Sequence, residues 1–226
     1  MNLPNKITVA RILLIPIMII IPFFGLDNIL FGDVTLGNFI VLIIFLIASF
    51  TDFLDGYLAR KNNIVTTFGK FLDPIADKLL VLAALIMLVE QGIVPGWIPI
   101  IIAAREFIVS GIRMLAAGEG NVIAASWLGK VKTVSQMVAI SLAFLGSGAF
   151  MAWTKMQAMV YELKVDPKNI YEQAGDPVYM NVPVGLNVSW VINLLMSIAM
   201  LVAVGTTIWS GIDYFMKSKD VVLKSK

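Results

Sequence analysis

Between residues 52 and 77, four carboxylates, two glycines and an arginine recur at helical intervals. The segment reads Asp52-Phe-Leu-Asp55-Gly56-Tyr-Leu-Ala59-Arg60, then eight residues, then Gly69-Lys-Phe-Leu-Asp73-Pro-Ile-Ala-Asp77. Asp52 and Asp55 are i,i+3, and Asp73 and Asp77 are i,i+4, so each pair shares one face of a helix. Two such pairs brought together would form a cage of hard oxygen donors, suited to divalent metal and phosphate chemistry. Acidic side chains at membrane depth cost about 2.5–3.5 kcal/mol each on the insertion scale, so an acidic cluster inside an apolar chain marks a functional site by default. Asp52, Asp55, Gly56, Ala59 and Arg60 continue as one stripe, and the small Gly56 and Ala59 let a ligand lie against the backbone. Helix packing uses small residues in the same way, but the flanking carboxylates and arginine favour a ligand groove. Arg60 is planar and permanently charged, as bidentate phosphate contact requires. Asp73 can also be read as a helix cap, whereas Asp77, one turn further on, has no capping role.

A second charged set lies downstream. Arg105 and Glu106 sit in the middle of an apolar run, with Arg113 eight residues on, then Lys130 and Lys132. Arg105 and Arg113 share a face at i,i+8, and a mid-membrane arginine usually faces a cavity. Arg105, Arg113 and Lys130 are therefore expected to line a cationic pocket for an anionic substrate. Structural pairing with Glu106 or with the aspartates is the competing explanation.

The chain of 226 residues is 59% hydrophobic and 14% charged, with no cysteine and no histidine. Its mean hydropathy of +0.89 identifies an integral membrane protein. Without cysteine there are no disulfides and no thiolate chemistry. Without histidine there is no imidazole nucleophile, base or metal ligand, so metal must be held by oxygen.

Six apolar stretches, at about 8–25, 36–59, 74–92, 97–117, 126–152 and 185–214, are long enough to cross ~30 Å of hydrocarbon. The expected fold is all-α with six transmembrane helices in a single domain, 1–226. The first stretch reads as a retained helix, with Leu3 to Ile7 leading into it and Thr8 and Arg11 entering it. Asp73-Pro74 predicts the start of the third helix, which leaves 61–72 as a short connection between antiparallel neighbours. Lys and Arg cluster where both termini and the acidic motif would face the cytoplasm, as at Lys6, Arg11, Arg60, Lys61, Lys70, Lys78 and Lys217. Residues 26–35 and 153–184 are then external. The second is a polar insert of unassigned purpose, with a short helix expected near 155–164.

The motif at 52–77 fits D-x2-D-G-x2-A-R-x8-G-x3-D-x3-D at every fixed position, and in this the chain resembles the CDP-alcohol phosphotransferase family. Pro4-Asn5-x-x-Thr8-x-x-Arg11, Arg105-Glu106, Arg113 and Gly129-Lys130 resemble the bacterial branch whose acceptor is sn-glycerol 3-phosphate. The resemblance departs at 153–184, which is longer than such a loop would be. It implies that Asp52, Asp55, Asp73 and Asp77 bind two Mg²⁺ or Mn²⁺ ions. It also implies that Asp52, Gly56, Ala59, Arg60, Thr66, Gly69, Asn5 and Thr8 hold CDP-diacylglycerol. Asp77 is the implied general base, taking the proton of an acceptor hydroxyl that attacks phosphorus and expels CMP. Arg105, Arg113 and Lys130 would receive the acceptor phosphate, so glycerol 3-phosphate would give phosphatidylglycerophosphate for phospholipid biosynthesis. A homodimer in the cell membrane, with its site facing the cytoplasm and no nucleic-acid partner, completes what the resemblance implies. Other acceptors stay open, namely inositol phosphate, serine or phosphatidylglycerol. A cation transporter would place its acids near the bilayer midplane between broken helices, and a scaffold of ion-paired helices would not need the spaced glycines.

Overall fold

Long apolar runs punctuated by glycine, proline and charge produce a mostly helical molecule. The structure, a computed structural model, describes residues 3–31, 34–61, 67–118, 127–146, 150 and 188–224, and of 3–5, 31, 52–61, 67–71, 73–74, 117–118, 188–190 and 219–224 only the backbone. Six long helices are described: α1 (Leu3–Ile20), α2 (Leu36–Lys61), α3 (Thr67–Glu90), α4 (Trp97–Gly118), α5 (Trp127–Leu145) and α6 (Val188–Lys224). A 3₁₀ turn over Ile21–Phe24 follows α1 and is closed by Gly25 at φ 63°, a left-handed conformation that glycine adopts without steric cost.

Several boundaries differ from expectation, each for a local reason. The lead-in at 3–7 is already helical, because Pro4 falls in the first turn of α1, where a missing N–H costs nothing. Helix α3 starts at Thr67, before Asp73-Pro74. Proline is tolerated inside membrane helices when neighbouring groups satisfy the freed backbone, and Phe68, Phe71 and Leu72 continue the helical apolar spacing upstream. The fold is also not purely helical. Residues 26–35 include a hairpin, β1 (Ile29–Phe31) with β2 (Val34–Thr35), antiparallel with Ile29 opposite Thr35. Helix α5 stops at Leu145 instead of running to 152, since Gly146-Ser147-Gly148 disfavours helix. Helix α6 continues to Lys224, past the last apolar stretch, and an i,i+4 pair between Lys217 and Asp213 at 2.8 Å supports the extension. The insert at 153–184, with the helix expected in it, lies outside the described residues.

Helices meet through small residues. Ala48, Ala84, Ala139, Ala143 and Ala203 are fully buried, and without large side chains there the backbones approach closely. The most extensive contact is between α5 and α6, followed by α1 with α2 and α4 with α6. Polar pairs stitch α5 to α6: Gln136 Nε2 donates to Thr207 Oγ1 at 2.9 Å, and Ser135 and Thr206 hydroxyls meet at 3.1 Å. Outward, large apolar side chains such as Ile17, Ile86, Ile100, Met114, Val134 and Trp209 are exposed, a surface suited to lipid and not to water. Among the described residues, three helices are long and apolar enough to cross a membrane: Lys6–Phe24, Trp127–Leu145 and Val191–Ser218. The chain is an integral membrane protein. At 24 and 22 residues, α3 and α4 also reach crossing length but carry the charges of the site.

Candidate active site

Three helices bring their charges to one cavity. From α3 come Asp77 and Lys78, from α4 Glu106, and from α5 Lys132, Thr133 and Gln136, around a volume of about 150 Å³. Helical phase explains the set. Ala76 and Leu80 face the core, which leaves Asp77 and Lys78 half-buried at its edge. On α5 the buried face runs through Lys132, Gln136, Ala139 and Ala143, an i, i+4, i+7, i+11 series. Its first member is therefore a lysine directed into the protein. Burying a cation costs free energy unless it is paired, and here it is: the Lys132 ammonium donates to Glu106 Oε1.

That carboxylate oxygen has a second donor. Arg105 Nη1 donates to Glu106 Oε1 at 3.0 Å, and Arg105 Nη2 donates to Ser210 Oγ on α6 at 2.5 Å. Lys78, next to Asp77, donates to Ser110 Oγ on α4. The result is a chain of charge-assisted contacts running from α6 through Arg105 and Glu106 to Lys132 at the cavity wall. Asp77 stands on the same cavity.

The cations expected to form one acceptor pocket are separated. Arg105 and Arg113 do share a face of α4, but that face meets α6. Arg105 reaches Ser210, with Gly211 leaving room for its stem, since a Cβ there would stand 3.2 Å from Arg105 Cγ. Arg113 lies over the Tyr214 ring at 5.3 Å. Lys130 is two residues from Lys132 and so on the other flank of α5, exposed, beside a groove shared with α6 and lined by Trp127, Val134, Val138, Ala199 and Val202. None of the three is among the described residues lining the Asp77 cavity. The cations among the described residues lining it are Lys78 and Lys132. The i+4 relation of Lys132 to Gln136, continued by Ala139 and Ala143, was the signal that distinguishes it from Lys130.

Among the donor-site expectations, Thr8 is buried on α1, as is Arg11. Asn5 lies in the first turn of α1, and Asp52, Asp55, Gly56, Ala59 and Arg60 lie on the last turns of α2, described as backbone only. Gly69 and Asp73 lie likewise on α3, and Thr66 is outside the described residues. Both acidic pairs thus fall on continuous helices, and α2 contacts α3. Among the described residues no three acidic, histidine or cysteine side chains group as a metal site; of the four motif aspartates, Asp77 alone has a described side chain. The available donors are carboxylate oxygens in a chain without histidine or cysteine, and Asp77 stands on a cavity that it shares with Lys78, Glu106 and Lys132. That donor chemistry fits Mg²⁺ or Mn²⁺.

Fold and cavity together define a helical membrane protein with a charged site shared by three helices. The profile of the CDP-alcohol phosphatidyltransferase family matches residues 1–164, and the chain belongs to this family. It is 53% identical over 148 residues to the CDP-diacylglycerol–glycerol-3-phosphate 3-phosphatidyltransferase of Bacillus subtilis, covering 64% of this chain and 77% of that one. Proteins of the same name from Rickettsia felis and Escherichia coli K12 are 46% and 39% identical. These alignments cover 65% and 62% of this chain and 76% and 75% of theirs. Such relatives are transferases.

Proposed function

We propose that the protein transfers the phosphatidyl group of CDP-diacylglycerol to sn-glycerol 3-phosphate, giving phosphatidylglycerophosphate and CMP. The observation that carries this reading is the cavity: Asp77, the last carboxylate of the motif, shares it with Lys78 and Lys132. A base beside two cations suits an acceptor that is both a hydroxyl nucleophile and an anion, and the names of the relatives support that acceptor.

Asp77 accepts the proton of the attacking hydroxyl. An oxygen–phosphorus bond forms to the phosphatidyl phosphorus as the bond to CMP breaks, and the electron pair leaves with CMP. Lys78 and Lys132 hold the acceptor phosphate, which converts a bimolecular encounter into a positioned one. Asp52, Asp55, Asp73 and Asp77 would hold two Mg²⁺ or Mn²⁺ ions, which when bound neutralise charge on the diphosphate. Gly56, Ala59, Arg60, Thr66 and Gly69, with Asn5 and Thr8 of α1, form the donor site in this reading. We place six crossings in the cell membrane with both termini and the site on the cytoplasmic side, as the distribution of Lys and Arg indicates. The assembly is proposed as a homodimer.

The test is CMP release from CDP-diacylglycerol with glycerol 3-phosphate, inositol phosphate, serine or phosphatidylglycerol as acceptor. Release with glycerol 3-phosphate alone is expected. Release with another acceptor alone would replace the assignment, and no release with any, from folded protein, would remove it.

A further inference from the structure

We infer that Glu106 is a positioning residue, whose carboxylate holds the Lys132 ammonium at the cavity wall for an anionic ligand while Arg105 balances its charge from behind. The inference rests on the proposed function only in naming that ligand as the acceptor phosphate. One oxygen, Glu106 Oε1, accepts from both Lys132 Nζ and Arg105 Nη1. The three side chains are 18%, 6% and 12% exposed for Glu106, Lys132 and Arg105, so water does little to screen them. An ammonium has three donors, and the contact with Glu106 uses one, leaving donor capacity for a ligand.

The two cations are not equally anchored. Arg105 is fixed on α6 by Ser210 and packs its stem where Gly211 leaves room. Lys132 has a flexible four-carbon stem, and its described polar contact is Glu106. With the carboxylate gone, the two like charges repel at short range, and the lysine is the one that can leave. The consequence has a definite sign: neutralising Glu106 weakens anion binding, although it removes a negative charge from the cavity. A purely structural ion cluster would change stability without separating substrate affinity from turnover.

The experiment compares Glu106→Gln, Glu106→Asp, Lys132→Gln and the double variant Glu106→Gln/Lys132→Gln with the wild type, using purified protein in lipid vesicles. In CMP release, Glu106→Gln should raise KM for glycerol 3-phosphate at least about tenfold, the scale of one charge-assisted contact. The turnover number and KM for CDP-diacylglycerol should stay within about twofold. Glu106→Asp should fall between wild type and Glu106→Gln, and the double variant should be no worse than Lys132→Gln alone. In a second readout, inorganic phosphate should raise the melting temperature of wild type and Glu106→Asp but not of Glu106→Gln. This arm does not depend on the acceptor, so absent CMP release from wild type with glycerol 3-phosphate counts against the proposed function and not against the inference. An unchanged or lowered KM in Glu106→Gln, multiplicative effects in the double variant, or no phosphate shift in the wild type would overturn the inference. If Glu106→Gln does not fold, Glu106→Asp decides, and a wild-type KM in that variant would overturn it.

Discussion

Replacing Lys132 with methionine separates binding from stability, because the structure assigns different magnitudes to each. Breaking a buried ion pair by removing one partner commonly costs about 3–5 kcal/mol, mostly from the charge left alone. Here Glu106 keeps Arg105 at 3.0 Å, so the carboxylate is not abandoned. Methionine also refills the aliphatic volume of the lysine stem. The stability loss should therefore be small, about 1–2 kcal/mol, the scale of a single hydrogen bond. The binding loss should be larger. A charge-assisted hydrogen bond contributes about 1.5–3 kcal/mol, and each 1.4 kcal/mol is tenfold in affinity. KM for glycerol 3-phosphate should rise about 10- to 150-fold. The assay is initial-rate CMP release over a range of acceptor at fixed CDP-diacylglycerol, with thermal unfolding of the same sample. A KM within twofold of wild type in folded protein would refute the reasoning, as would a fall in turnover at unchanged KM.

Two further variants probe neighbouring features. Arg113 stacks on Tyr214, a contact contributing about 0.5–2 kcal/mol, so Arg113→Ala should lower the melting temperature while leaving the acceptor KM within about twofold; a raised KM would return Arg113 to the acceptor site. At Gly146 a Cβ would stand 2.6 Å from Asn193 Oδ1 and 3.3 Å from the Leu142 carbonyl oxygen, so Gly146→Ala should destabilise by about 1–3 kcal/mol through overpacking between α5 and α6, and an unchanged unfolding transition would contradict that close approach.

Much of the fold was legible because hydropathy and helix length are coupled in lipid. The apolar runs located the six long helices among the described residues, since a run of about twenty apolar residues is the length a crossing helix needs. What they could not locate were ends governed by competing local effects. Asp73-Pro74 looked like a helix start because proline is comfortable there, yet a membrane helix can carry proline internally and α3 does. The end of α6 was missed because its last turns carry charge, with the Asp213–Lys217 pair bridging one of them, and so leave no hydropathy signal. At the site, spacing alone selected Asp77 as a residue without a capping role, and it stands on the cavity. Lys130 and Lys132 are equivalent by composition, and only the phase of the buried face of α5 separates them. Glu106 was visible as a partner for Arg105, but its bond to Lys132 spans two helices, and no local pattern encodes a contact of that kind.

The central claim is that the Asp77 cavity is where the acceptor hydroxyl loses its proton. Its most direct test measures CMP release and CDP-diacylglycerol binding side by side in wild type and Asp77→Asn, with Mg²⁺ present and after chelation. The account predicts glycerol 3-phosphate-dependent release from the wild type only with Mg²⁺, and no detectable release from folded Asp77→Asn that still binds CDP-diacylglycerol. Turnover by Asp77→Asn within about tenfold of wild type, a loss too small for a missing general base, would contradict it.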